Sequence, residues 1–456
     1  MPAALCQTSA GRTAPPPEVA RVLSQITPAS VKRHVDKLVS FGTRQTFSDT
    51  TSQTRGIGAA RRWIKSEFER FAAASGRSGK DAIRVYFDRH TLEPSRRVPR
   101  EVEIVNVVME IPGSLPAARA RRYYVIGHYD SIPGDFGNAE LDAPGANDDG
   151  SGTAVTIELA RVLSRRRFDS TIVLMATAAE EQGLFGAARH AARARDEGWD
   201  IRGVLSNDIV GDPTSPSGKS YPKQVRVFSE GVPATATAAE MRAYARFGTY
   251  SDSPSRQLAR FVADVAAWEK TTVKPLLIFR RDRFGRGGDH SAFNGRGYPA
   301  VRFCEVFENY DHQHQTVHVE NGVQFGDLPE FVDPAYLANV ARLNAATVIH
   351  LANAPSSPTG VRVSGRTASA TIRWEASPEP DVAGYEVVWR STTSPVWEHA
   401  HKVAAGSDPA ETSVRIDVSR DNHYFGVRAF DKDGYRSPVS FSSLASRRAT
   451  SRPTRR

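Results

Sequence analysis

The spacing of apolar positions divides this 456-residue chain into three stretches. Residues 1–26 are rich in Pro, Ala and Thr, carry no periodic stripe and read as a disordered segment. Thr27-Pro28 then pairs a capping side chain with a proline suited to a first turn and opens a helix. Ile57, Ala60, Ile64, Phe68 and Phe71 recur at helical spacing, a stripe that suits packing on a sheet. Strand-like runs follow over 83–87 and 102–111, the second stopped by Pro112-Gly113, and another covers 123–127.

A helix over 151–165, a strand over 171–176, a helix over 182–195 and a strand over 204–206 continue the series. This βαβαβ order implies right-handed crossovers and a largely parallel sheet. Residues 213–285 are less regular and read as helices and loops around a site. Asp333-Pro334 starts a last helix with Leu337, Val340, Ala341, Val348 and Leu351 on one face. The first expected unit therefore spans 27–352, a mixed α/β unit with a largely parallel central sheet flanked by helices.

From 353 to 358 the composition is that of a linker (Asn-Ala-Pro-Ser-Ser-Pro), and after it the period changes to alternation. Val361, Ile372 with Trp374, 385–389, 414–418 and 424–429 mark short strands separated by turn residues. Such spacing predicts a small all-β sandwich over 359–447, followed by a basic tail over 448–456. Trp374, Tyr385 and the run Tyr-Phe-Gly-Val-Arg-Ala-Phe resemble a fibronectin type III domain. A surface or polymer contact is the role expected of it.

Composition is globular, with 40% hydrophobic and 24% charged residues, and the formal charge of +9 is spread along the chain. No arginine-rich arm with interleaved aromatics is present, so nucleic acid is not an expected partner. No run approaches the length needed to span a membrane. Of the two cysteines, Cys304 lies in an apolar run and reads as a buried thiol, while Cys6 sits near the terminus. A disulfide framework and thiolate metal ligands are both disfavoured. The first ten residues read either as the remnant of a clipped secretory signal or as an unstructured start. Secretion or periplasmic placement is the expectation.

The chemistry is concentrated where the strands should end. His128 and Asp130 close the run Tyr-Tyr-Val-Ile-Gly-His-Tyr-Asp, and two residues apart on a continuing strand they would face the same way. Asp130 could then hold the far imidazole nitrogen of a ligating His128. Asp148 and Asp149 lie in a tight Asn-Asp-Asp-Gly-Ser-Gly loop before a helix, where either could serve only as a cap, or one of them, Asp148 by preference, can bridge two cations. Glu180-Glu181 invites a division of labour between a metal ligand and a general base. Asp208 completes the set on a further strand. Mixed imidazole and carboxylate donors suit zinc better than magnesium or calcium, which favour all-oxygen shells.

With four clusters in this order, the stretch from about Leu38 to Pro355 resembles the co-catalytic zinc aminopeptidases that share a fold with glutamate carboxypeptidase II. That resemblance implies His128, Asp148, Glu181 and Asp208 as ligands of two zinc ions, Asp148 bridging and Glu180 acting as general base. Gly288-Asp-His-Ser-Ala-Phe293 resembles the family's pocket-shaping segment, with His290 structural or beside the substrate. The last ligand falls among His312, His314 and His318; matching Glu320-Asn321 to the family's acid-Asn pair puts His314 on the metal, with His312 as its rival. Gln313 stands where some members carry an oxyanion-stabilising tyrosine, which leaves Tyr310 or another group for that task. The activity implied is hydrolysis of N-terminal peptide bonds in substrates with a free amine. The alternatives are an aminoacyl cyclase with one working metal, or a carboxypeptidase needing a cationic clamp from Arg280, Arg281, Arg283 or Arg286.

Overall fold

The computed structural model describes residues 16–365, 368–405 and 412–442. They form two compact units, one of residues 16–236 and 250–353, the other of 237–249 with the described residues from 354 onward. Cys6, most of the N-terminal segment and the basic tail over 448–456 lie outside the described residues. Part of the segment expected to be disordered is helical: α1 (Pro17–Leu23) buries Val19 and Val22 completely. Two apolar residues in a Pro- and Ala-rich setting are too short a stripe to register as periodic.

In the first unit, α2 (Pro28–Val39) starts at the expected cap. Thr27 Oγ1 accepts from the Ser30 amide at 3.1 Å and Ser30 Oγ accepts from the Thr27 amide at 3.0 Å, a reciprocal capping box. Then come α3 (Gly56–Ala74), β1 (Arg84–Leu92), β2 (Val102–Ile111), β3 (Arg121–His128), α4 (Gly150–Leu163), β4 (Thr171–Thr177), α5 (Phe185–Asp196) and β5 (Asp200–Asn207). Residues 213–285 are more regular than their composition suggests, with β6 (Gln224–Ser229), α6 (Ala238–Phe247, which belongs to the second unit), α7 (Pro254–Trp268) and β7 (Lys274–Ile278). β7 is a part-exposed edge strand with no clean alternation, and α6 buries no residue, so both lack the pattern that would announce them. The unit closes with α8 (Asp289–Asn294), β8 (Ala300–Cys304), the hairpin β9 (His318–Glu320) and β10 (Val323–Phe325), and α9 (Pro334–Asn353).

Eight strands form one sheet in the order β1-β2-β4-β3-β5-β8-β6-β7, and the central run β4-β3-β5-β8 is parallel throughout. Helices cover both faces, which is why β4 is buried along its whole length. On one face Ala187, Ala191 and Ala194 of α5 and Phe293 of α8 pack on Tyr124, Ile126, Val173 and Met175. On the other, α4 lies directly over β3: a Cβ on Gly127 would sit 2.5 Å from the Gly152 carbonyl carbon, so only glycine admits this approach. Glu158 of α4, wholly buried, ties that helix to α2 through Ser30 (2.6 Å) and His34 (3.2 Å), and receives both Arg161 donors.

From β3 the chain crosses to β4 on one side, then returns to β5 on the other. The carboxyl ends of these strands therefore border a topological switch point, where open α/β sheets leave a crevice. Register brings the ends level: His128 is opposite Thr177, and Asn207 is opposite Phe303.

In the second unit, α6 accompanies two antiparallel sheets. β11 (Thr359–Ser364), β12 (Ala370–Glu375) and β15 (Ser413–Ile416) make one, and β13 (Val382–Ser391), β14 (His399–Ala404), β16 (His423–Asp431) and β17 (Ser440–Phe441) the other. Val361, Ile372 and Trp374 from the first share one apolar cluster with Tyr385, Val387, Phe425 and Val427 from the second. The strand Val414–Val418 expected here ends at Ile416.

Candidate metal centre

Each acidic or imidazole group singled out in the sequence up to Asp208 sits at, or just past, the carboxyl end of a central strand or at the N-terminus of the helix beside it. His128 is the last residue of β3, Glu180 and Glu181 follow β4, Asp208 follows β5, and Asp148 precedes α4. Three backbone positions around them adopt positive φ without being glycine: Ala179 (58°), Ile209 (61°) and His314 (56°). Such conformations cost of order 1–3 kcal/mol and persist where the surroundings over-determine them, commonly at functional sites.

Asp148 is the hub. Its Oδ1 lies 3.2 Å from His128 Nε2, and its Oδ2 lies 2.9 Å from Nε2 of His314. His314 Nε2 is also 3.2 Å from Glu181 Oε2, and His128 Nε2 is 3.9 Å from Asp208 Oδ1. Ligand atoms of His128, Asp148 and Glu181 all fall within 4.8 Å of one another, as do those of His128, Glu180 and Asp208. All of these groups are buried except Glu180 and His314, which are half-buried.

His312 stays out of the cluster: its ring stacks on Phe331 with centroids 3.6 Å apart and Nε2 faces Asn309. His318 stacks on Phe325 in the exposed hairpin. His290 is fully buried, with Nε2 at 2.8 Å from the Arg281 carbonyl. Gln313 donates to Glu308 at 3.4 Å, and the Tyr310 hydroxyl donates to the same carboxylate at 3.5 Å. Of the four arginines considered as a clamp, Arg283 is engaged with Asp282 and Glu308, and Arg286 lies over the Tyr310 ring.

Asp130 departs from its expected geometry. Its main-chain carbonyl lies closest to His128 Nδ1, at 3.1 Å, and its carboxylate is 3.6 Å away. β3 ends at His128, so the same-face relation of residues two apart does not extend to Asp130. The carboxylate accepts instead from the amides of Glu180 (3.3 Å) and Glu181 (3.2 Å), pinning the turn that presents both acids.

Other groups complete the surroundings of the site. Asp149 caps α4 by accepting from Gly152 at 2.8 Å and also accepts from the His128 amide at 3.0 Å. Asp327 accepts from the Asn147 and Asp148 amides at 2.9 and 2.6 Å. Arg44, wholly buried, donates to the carbonyls of Tyr129, Pro144 and Gly145 and shapes the loop before Asp148. Asp289 is buried against Thr177. Asp149 and Asp289 fall within segments the sequence does single out; nothing in the chain's pattern marks Arg44 or Asp327.

So many carboxylates in so small a volume demand positive charge. Burial raises the Glu180 and Glu181 carboxyls, helped by neighbouring acids, and pushes Asp289 to about 7. Burial alone would lower both imidazoles. The surrounding Asp130, Asp148 and Asp208 outweigh it at His128, which is held well above the ordinary histidine range, and Glu181 and Asp148 raise His314 to about 11. The donor set fits zinc: imidazole nitrogens and carboxylate oxygens, no thiolate, and a buried Glu181 Oε1 with no hydrogen-bond partner.

Residues 106–346 match peptidase family M28. A "probable zinc metalloprotease" of Pyrenophora tritici-repentis is 42% identical over 431 residues, covering 94% of this chain and 87% of its own. One from Leptosphaeria maculans is 41% identical over 432 residues, covering 94% and 98%. Among solved structures, the LapA aminopeptidase of Legionella pneumophila superposes with a TM-score of 0.52 at 21% identity, covering 74% of each chain. The aminopeptidase of Aneurinibacillus sp. strain AM-1 gives 0.50 at 14%, covering 74% of this chain and 96% of its own, a likeness of fold. The chain belongs to peptidase family M28.

Proposed function

We propose that this protein is a zinc aminopeptidase with two zinc ions sharing Asp148, one also held by His128 and Asp208, the other by Glu181 and His314. The observation that carries the reading is the Asp148 carboxylate, whose two oxygens face different imidazoles at 3.2 and 2.9 Å. A single carboxylate so placed suits a pair of cations about 3.5–4 Å apart. When bound, the zinc pair would supply the positive charge that activates water and polarises the scissile carbonyl.

Glu180 takes the proton of the attacking water and returns it to the leaving amine. Its burial among acids raises its affinity for a proton, which suits a group that must accept one and give it up again. Asp130 acts one step back, fixing the Glu180-Glu181 turn and the His128 ring. The acidic rim of the cluster favours a substrate's free N-terminal amine and disfavours an acylated one. The fold shared with two aminopeptidases supports exopeptidase action at the N-terminus.

A panel of aminoacyl-nitroanilides, each paired with its N-acylated counterpart, tests this directly. Turnover of the free-amine members alone, abolished by chelation and restored by zinc, is expected. Cleavage of N-acylated peptides from the carboxyl end would replace the reading with a carboxypeptidase. Glu180→Gln should retain its zinc and lose turnover by roughly 100-fold or more, within the range of general-base catalysis; unchanged turnover refutes the base assignment.

The kinship with the glutamate carboxypeptidase II fold belongs to the same reading. So does a fibronectin type III-like character for the second unit, supported by its three- and four-stranded sheets around Trp374 and Tyr385. That unit would serve a surface or polymer contact in a secreted enzyme.

A further inference from the structure

Strand β8 carries a guanidinium that the ligand argument leaves unused. Arg302 is fully buried in a strand with no exposed residue. Its Nη2 lies 2.9 Å from Asp208 Oδ1. Nη1 donates to the Gly287 carbonyl at 2.9 Å and faces Asp282 Oδ2 at 3.3 Å. Removing an arginine from water costs several kcal/mol and is sustained only by partners of good geometry. An apolar side chain would serve packing better at this position, so the charge has a purpose beyond filling space.

The register explains how Arg302 reaches Asp208. β5 and β8 run parallel with Ser206 opposite Arg302 and Asn207 opposite Phe303, and the Asp208 amide continues the ladder by donating to Phe303 at 3.2 Å. The loop after β7 closes onto the pair at a glycine: a Cβ on Gly288 would lie 3.0 Å from Arg302 Nη1 and 3.2 Å from Asp208 Oδ2. Beyond Asp282 the charges keep alternating. Arg283 pairs with Asp282 at 3.1 Å and with Glu308 at 2.8 Å, and Glu308 accepts from Gln313, the neighbour of His314. A chain of ionic and hydrogen-bonded groups thus runs from the end of β5 to the loop that carries His314.

We propose that Arg302 is a positioning residue of the metal centre: its planar fork fixes the Asp208 carboxylate toward His128 and anchors it to Asp282. In this role it acts through Asp208. The assignment rests on reading Asp208 as a zinc ligand. Partners that orient ligating groups typically change metal affinity 10–100-fold when removed, and the fork geometry distinguishes arginine from lysine.

The test is zinc binding to the full-length protein, by competition with a chromophoric chelator, for the parent, Arg302→Gln, Arg302→Lys and Asp208→Asn. Two equivalents are expected in the parent. In Arg302→Gln one of them should weaken by roughly 10–100-fold while the other stays within about threefold, and Arg302→Lys should weaken the same one by about tenfold. Should Arg302→Gln not fold, Arg302→Lys keeps the buried charge and carries the test with the same outcomes. Unchanged affinities in a folded Arg302 variant, or equal weakening of both equivalents, overturn the assignment while leaving the ligand set intact. One equivalent in the parent, or Asp208→Asn binding as the parent does, overturns the ligand set and this inference with it.

Discussion

At the scale of single residues, the site is governed by which charge is compensated and by what. Asp148 is opposed by two imidazoles and Asp208 by Arg302, whereas Glu181 keeps one buried oxygen without a partner. Glu158 shows the same logic used for stability alone. Burial opposes its ionisation, but hydrogen bonds from Arg161, His34 and Ser30 prevail and hold its carboxyl at about 2, below its ordinary 4.5. A folded-state value below the unfolded one means its contribution is complete above pH 4.5 and is lost as pH falls toward 2, about 3 kcal/mol in all. Glu158→Gln should therefore destabilise the parent strongly at pH 7, by about 3–5 kcal/mol for a broken buried pair, and much less near pH 3. Urea unfolding at both pH values checks this; equal losses would remove the ionic explanation.

At the scale of elements, the metal centre depends on how closely α4 approaches β3. Gly127 and Gly152 meet backbone to backbone, and this brings the loop holding Asp148 and Asp149 over His128. Gly127→Ala should push the start of α4 outward, cost about 1–3 kcal/mol and weaken zinc binding. Stability by calorimetry and zinc affinity on the same preparation would show it, and an affinity equal to the parent's would mean the loop is placed by other contacts. Elements whose apolar period is strong were legible: α3, β2, β4 and α9 lie within a few residues of their sequence-based bounds. β7 was not, because a part-exposed edge strand shows no alternation, and neither was the hold of Asp130 on the Glu180 and Glu181 amides, because the chain leaves the strand before reaching Asp130.

At the scale of the whole molecule, the strand order matters most. Crossing from β3 to β4 and back to β5 carries residues 80 positions apart, from 128 to 208, to one edge of the sheet. His128, Glu180-Glu181 and Asp208 were legible because each follows an apolar run, and Asp148 because it lies in a tight loop before a helix. Arg302 was hidden because its partner is set by the pairing of β5 with β8, nearly 100 residues apart, which no local pattern reports. A fold that gathers this much negative charge is expected to gain stability from its cation. Free zinc at 100 times its dissociation constant should add about 2.7 kcal/mol per site and raise the melting temperature, and chelation should lower it. A melting temperature indifferent to both would mean that folding does not depend on the bound ion.

The pairing of two cations on Asp148 is tested most directly by anomalous diffraction at the zinc edge from crystals of the zinc-loaded protein. Two peaks about 3.5–4 Å apart are expected, one beside His128 and Asp208 and one beside Glu181 and His314, with an Asp148 oxygen on each. A single peak, or a second one away from His314, would contradict the account.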